Sequence, residues 1–272
     1  MNNFTNDNLY RNALYYRFYS KKIISLDTID LVKYYDGINC FQYFDLIIND
    51  NDLIKLKQIN KTKIIKFRYI NKESIGFKTI SKNFEIEIND EWDAPIIQIK
   101  KDCFEEYLNS KSYNFRRLIK KCSNLEKKLK IVKSNKNNIN KLFKDVLKID
   151  QDSWKYKEKS DMLSLDNEQI IYVTLLKYCN LYISYFDNKP IGYSLLIKYN
   201  DKYYAAKWGA TDFGRAMNSG IICLINQIKD ISSKENLFLD LWGRRNKIYD
   251  RMATHSIKRI YFSILKNGNK KS

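Results

Sequence analysis

YYAAKWGATDFGRAMNSGIICLINQIK, residues 203–229, changes its periodicity midway. The run Tyr203, Tyr204, Ala205, Ala206, Lys207, Trp208 reads as a strand, residues 209–215 form a polar turn, and Asn218, Ser219, Gly220 lead into a helix. That helix carries Ile221, Leu224, Ile225, Ile228 and Ile231 at three- and four-residue steps. A loop that runs from a strand end into a helix N-terminus presents N–H groups without helical acceptors, and with the helix dipole they suit a phosphate. Two readings of residues 215–220 follow: a site for a phosphate-bearing ligand, or an ordinary turn with Gly and Asn in it for backbone reasons.

Outward from this stretch the chain alternates. On the N-terminal side, 129–132 reads as a strand, 139–147 as a helix running toward Trp154, and 165–178 as a second helix with Ser164 or Asp166 as cap. Runs 181–186, 191–199 and 202–208, separated by turns at 187–190 and 200–201, predict an antiparallel meander. On the C-terminal side come a strand at 237–242, a helix at 246–255 and a strand at 257–265. The order places the strand-loop-helix near the middle of a mixed α/β sheet, where ligands commonly bind. Farther upstream, residues 102–128 predict one long amphipathic helix with Arg116, Arg117, Lys120, Lys121, Lys127 and Lys128 off its apolar stripe. The first 98 residues are mixed: helices at 8–21 and 31–35, strands at 44–48, 64–69, 75–80 and 84–88, and an interruption at 89–95 that ends on Pro95.

The composition bounds the function classes. In 272 residues, 49 Lys and Arg against 31 Asp and Glu leave a net charge of +18, which favours an anionic partner or describes a solvated basic surface. No apolar run is long enough for a membrane span and the N-terminus lacks a leader pattern, so a cytoplasmic protein is expected. Five scattered cysteines without a CxxC pair, and His255 as the one histidine, argue against a disulfide framework and a zinc site.

Four stretches together carry a family resemblance: KSYNFRRLIKKCSNLEKK (111–128), the helix ending in Asp152, Ser153, Trp154, GATDFGRAMNSGIICLINQI (209–228) and LFLDLWGRRNKIYDRMA (237–253). The chain resembles the GNAT N-acyltransferase fold, most of all its two-lobed branch of CelD-like acetyltransferases and FemAB-type aminoacyl transferases. The resemblance implies an α/β (α+β) fold, a GNAT-like mixed sheet flanked by helices, with a degenerate N-terminal lobe (1–98) and an acyltransferase lobe (99–272) that includes the basic helix 102–128. It implies that Arg215, Met217, Asn218, Ser219 and Gly220 wrap the donor's diphosphate, with Gly220 the one glycine of the family's usual pair. It also implies that Tyr249 is the general acid and that Arg116 and Arg117 are the branch's basic pair.

Other candidates come from the residues themselves. Asp240, a carboxylate in an apolar strand, is a catalytic base or anchor, or else a partner of Arg244, Arg245 or Lys207. Trp154 and Trp242 are candidates for the walls of an acceptor pocket, and Asp212 for an acceptor contact. The expected activity is transfer of an acyl group from acyl-CoA or acyl-carrier protein to an amine of a small molecule or amino sugar, by direct attack. The alternatives are aminoacyl-tRNA as donor, or a non-catalytic basic nucleic-acid-binding protein.

Overall fold

The computed structural model describes residues 23–27, 30–34, 37–40, 46–165, 168–199 and 201–269. The chain forms two compact units, residues 1–94 with 257–272, and residues 95–256. The boundary expected near residue 98 therefore falls at 94/95, and the last strand, expected in the second lobe, belongs with the first unit.

The first unit contains β1 (Ile23–Ser25), β2 (Asp30–Tyr34), β3 (Gly37–Cys40), α1 (Asp50–Asn60), β4 (Ile65–Asn71), α2 (Ile75–Asn83) and the start of β5 (Phe84–Ile99). Its sheet runs β1-β2-β3-β4 and then the C-terminal strand His255–Asn269, around a core that includes Leu31, Ile65, Phe67, Ile80 and Phe262. Three expectations change here. Residues 31–34 are strand, not helix, and residue 35 lies outside the described residues. Residues 75–80 are helix, not strand: Ser74 accepts the Phe77 N–H as a cap, and Gly76, Phe77 and Ile80 are buried at helical spacing. Pro95 does not end a strand, because β5 runs through it; a proline lacks only its own N–H, and its carbonyl accepts from Leu241 N at 3.1 Å. The helix expected at 8–21 lies outside the described residues, as do residues 44–45 of the strand expected at 44–48; 46–48 have no regular structure.

The second unit continues with α3 (Phe104–Asn109), α4 (Tyr113–Glu126), β6 (Lys130–Lys133), α5 (Ile139–Gln151), α6 (Trp154–Lys157), α7 (Glu168–Thr174), β7 (Cys179–Phe186), β8 (Lys189–Tyr199), β9 (Lys202–Ala210), α8 (Asp212–Ala216), α9 (Ser219–Ser232), β10 (Leu237–Asp240) and α10 (Lys247–Met252). The remaining strand, His255–Asn269, is β11. The sheet order is β5-β10-β9-β8-β7-β6, antiparallel except for the parallel pair β10 and β9. The meander is as expected, and Asp187 and Asn188 make its first turn with φ 47° and 60°, a two-residue hairpin geometry that these residue types tolerate. The single long helix is two, since the Ser110 N–H closes α3 and the Ser112 side chain caps α4 by accepting from Phe115 N. The helix at 165–178 shortens to α7 and a 3₁₀ turn, with the proposed cap Asp166 outside the described residues. Phe115, Leu224, Ile225, Ile228 and Leu239 share the core that binds α4 and α9 to one face of the sheet.

Candidate functional site

β9 pairs with β8 along its length but with β10 only at Tyr203↔Leu239 and Tyr204↔Asp240. β10 stops at Asp240, earlier than the strand expected to residue 242. Asp240 Oδ1 accepts from Trp242 N at 2.8 Å, and Trp242 takes φ 53°, so the chain turns away and the two strands part. The register between β8 and β9 also slips, from Leu195↔Lys207 to Leu196↔Ala205, which leaves Ala206 as an extra residue. A bulge reverses the alternation of side chains beyond it. Trp208 therefore packs with Tyr203 and Ala205 on the α9 face. Lys207 and Gly209 lie on the other face, against α7, Lys155 and Tyr193.

At this opening lies a cavity of about 390 Å³. Arg215 of α8, and Asn218, Ser219, Gly220 and Ile221 at the start of α9, form one wall; Trp208, Gly209 and Ala210 of β9 and Trp154 and Lys155 of α6 form the rest. Asn218 adopts a left-handed conformation (φ 53°, ψ 28°) and its side chain does not cap the helix. The first helical bond runs from Ile222 N to Asn218 O, so the N–H groups of Ser219, Gly220 and Ile221 precede any helical acceptor. Small residues bring this turn close to the sheet. A Cβ on Gly220 would lie 2.9 Å from Gly209 O, and one on Gly192 would lie 2.1 Å from Ser219 Oγ, which itself donates to Ile191 O.

Below the opening lies a buried polar cluster. Lys155 Nζ donates to Asp150 Oδ1 (3.2 Å), Tyr193 OH (3.3 Å) and Trp208 O (2.9 Å), using all three of its donors. The Tyr193 hydroxyl donates to Asp150 Oδ1 at 2.6 Å, and Met162 N donates to Oδ2 at 3.2 Å. Burial lowers the Lys155 ammonium below its ordinary range, against the pull of Asp150, and burial followed by Asp150 raises the Tyr193 phenol. Next to them Lys207 Nζ meets Glu168 Oε2 at 2.8 Å. On the α9 face Tyr249 OH accepts from Trp208 Nε1 at 2.7 Å. Burial raises the Tyr249 phenol, so it stays protonated and keeps its own hydrogen to donate.

Of the residues singled out by sequence, Trp154, Arg215, Asn218, Ser219 and Gly220 line this one cavity. Tyr249 stands behind Trp208. Asp240 is 2% exposed and holds the Trp242 turn. Met217 closes α8 and is not in the lining, while Trp242 stands edge-on to Tyr204, 6.4 Å between centroids. Asp212 lines a separate depression with Asp152 and Phe213, and pairs with Lys157. Arg116 donates to Asn109 O and Lys111 O, locking the joint between α3 and α4. His255 opens β11 instead of ending a helix. Sequence reasoning missed Lys155, Trp208 and Gly209, which line the cavity. Lys155 directly follows Trp154, but nothing local marks its partners, which come from 38 and 53 residues away.

No protein-family model matches the sequence, and no curated protein is similar to it in sequence. Solved structures are similar in fold. FemX superposes with a TM-score of 0.60 at 12% identity, covering 97% of this chain and 92% of FemX. L-PGS from Bacillus licheniformis gives 0.57 at 9%, covering 91% of this chain and 84% of that one. A tandem GNAT protein from the clavulanic acid biosynthesis pathway gives 0.50 at 6%, covering 89% and 79%. The chain thus has a GNAT-like fold, a mixed α/β sheet with flanking helices, as the resemblance implied.

Proposed function

We propose that this chain is an N-acyltransferase that moves an acyl group from a phosphate-bearing donor, acyl-CoA or acyl-carrier protein, to the amine of a small molecule or amino sugar. The observation that carries the reading is the cavity where β9 and β10 part, walled by the free amides of the α9 turn and by Arg215. These residues suit a diphosphate: three N–H groups at the positive end of a fourteen-residue helix and one guanidinium. Trp154, Trp208 and Ile221 supply apolar walls for the arm that follows it. When bound, the donor supplies an activated acyl carbon.

The chain's own residues do the rest. The α9 turn and Arg215 orient the phosphates, and the indole walls keep water from the opening. Tyr249, held protonated behind Trp208, is the proton donor on the leaving-group side. Asp240 acts as an anchor, fixing the turn that separates the strands. No covalent nucleophile is needed, because the amine attacks the acyl carbon directly.

FemX among the fold neighbours and the charge of +18 keep aminoacyl-tRNA as the competing donor. Mass spectrometry of ligands retained on purification, followed by incubation with labelled acetyl-CoA, longer acyl-CoAs and aminoacyl-tRNA, separates the two. Consumption of an acyl-CoA in the presence of an amine is expected. Salt-sensitive RNA binding with no donor bound or consumed would sink the transferase reading.

A further inference from the structure

Direct attack needs a neutral amine, so a group on the acceptor side must take its proton. Asp212, beside Arg215, is paired with Lys157; three further carboxylates, outside the cavity lining, are tied to β9 through its register with β10, through Lys155 and through Lys207. Asp240, 2% exposed, is committed to the Trp242 turn. Asp150, 1% exposed, accepts from Lys155, Tyr193 and Met162 N. Glu168 differs from both: at the start of α7, its side chain keeps 17% exposure, and it faces the half of β9 that β10 leaves unpaired. The bulge at Ala206 brings it there, since it turns Lys207 onto this face to meet Glu168 at 2.8 Å while Trp208 turns onto the donor face. The two faces of β9 thus meet different chemistry, amides and indole on one, a partly exposed carboxylate on the other.

We propose that Glu168 is the residue that takes the proton of the acceptor amine, which enters the opening from the α7 face as an ammonium ion. The inference rests on the acyl-transfer reading. The ammonium gives one proton to the Glu168 carboxylate, which passes it to water. The freed amine forms the new C–N bond as the acyl carbon's bond to the thioester sulphur or ester oxygen breaks. The nitrogen's second proton offsets the one that the leaving group takes from the Tyr249 side. Donor and ammonium become amide, free thiol or alcohol, and one proton.

The groups facing Glu168 are Lys207 of β9 (2.8 Å) and the Tyr172 hydroxyl of α7 (3.5 Å). Lys155 of α6 and Tyr193 of β8 feel its charge. An ion pair that only held α7 to β9 would be broken equally by removing either partner; a proton acceptor would not.

The test compares Glu168→Gln with Lys207→Gln in transfer from acetyl-CoA to a panel of amino acids, amino sugars and polyamines, across pH 5–9 as a working range. Glu168→Gln is expected to lose about 100-fold in kcat with donor affinity unchanged. Lys207→Gln, which breaks the same ion pair but keeps the carboxylate, is expected to retain most of kcat. Equal rates and pH profiles for wild type and Glu168→Gln would overturn the assignment while leaving the transferase reading intact. A folded wild type that neither binds nor consumes any donor would overturn both.

Discussion

Lys155 shows how one side chain ties the site to the core. It is 14% exposed, and its three bonds join α5, β8 and the end of β9 that β10 does not reach. Lys155→Met leaves the Asp150 carboxylate buried without its cation, and a loss of about 3 kcal/mol is expected in urea unfolding. Replacing Asp150 by Leu as well should return part of that loss, and no recovery would mean that packing rather than charge governs the site. Tyr249 works differently, since it is 9% exposed and its hydroxyl meets an indole N–H. Tyr249→Phe leaves that N–H without its acceptor, so stability should fall by about 1 kcal/mol. If the phenol also gives a proton, kcat should fall by at least about 100-fold with KM for the donor unchanged. A variant that loses stability but not kcat would restrict Tyr249 to holding Trp208 in place.

At the scale of elements, the α9 turn is set by a residue in a conformation that most side chains avoid. Asn218 at φ 53° is tolerated because Asn enters the left-handed region more easily than most non-glycine residues. Asn218→Gly should leave the melting temperature within a few degrees of wild type, whereas Asn218→Val should cost about 1–2 kcal/mol and weaken donor binding in parallel. Equal stability of the two variants would show that the turn relaxes without cost. Asp230 of α9 ties that helix to the sheet through Lys133 of β6 and Tyr182 of β7, with Lys234 a turn on. Burial alone would raise its carboxyl, but the hydrogen bonds from Lys133, Lys234 and Tyr182 outweigh burial and hold it well below the usual range. A depressed carboxylate contributes stability above its unfolded value, about 3.9, and loses it as pH falls through the folded value. The stability gap between wild type and Asp230→Asn, about 1 kcal/mol at neutral pH after screening, should therefore close in strong acid. A gap independent of pH would assign the effect to shape instead.

For the molecule as a whole, the charge of +18 is the dominant long-range term. Like charges repel within a compact chain, and added salt screens them. The melting temperature should rise as sodium chloride goes from near zero to about 0.3 M; a fall would mean that local ion pairs such as Lys207 with Glu168 outweigh the repulsion. The meander and the apolar stripe of α9 were legible in the sequence, because each depends on residues within a few positions of one another, whereas residues 209–215, read as a turn, hold the end of β9 and most of α8. The strand read at 75–80 and the break read at Pro95 show the limit: Ile and Phe suit either periodicity over six residues, and a proline's cost depends on whether a neighbour needs its N–H. The five cavity residues found from sequence all lie at Trp154 or in 215–220, next to their own local signals. What sequence alone determined was therefore local: an α/β chain in which a strand, a polar connection and an amphipathic helix follow one another. Only the tertiary structure decided which face of the sheet each side chain of β9 serves, because the bulge at Ala206 and the early end of β10 at Asp240 arise from register between strands that no single stretch encodes.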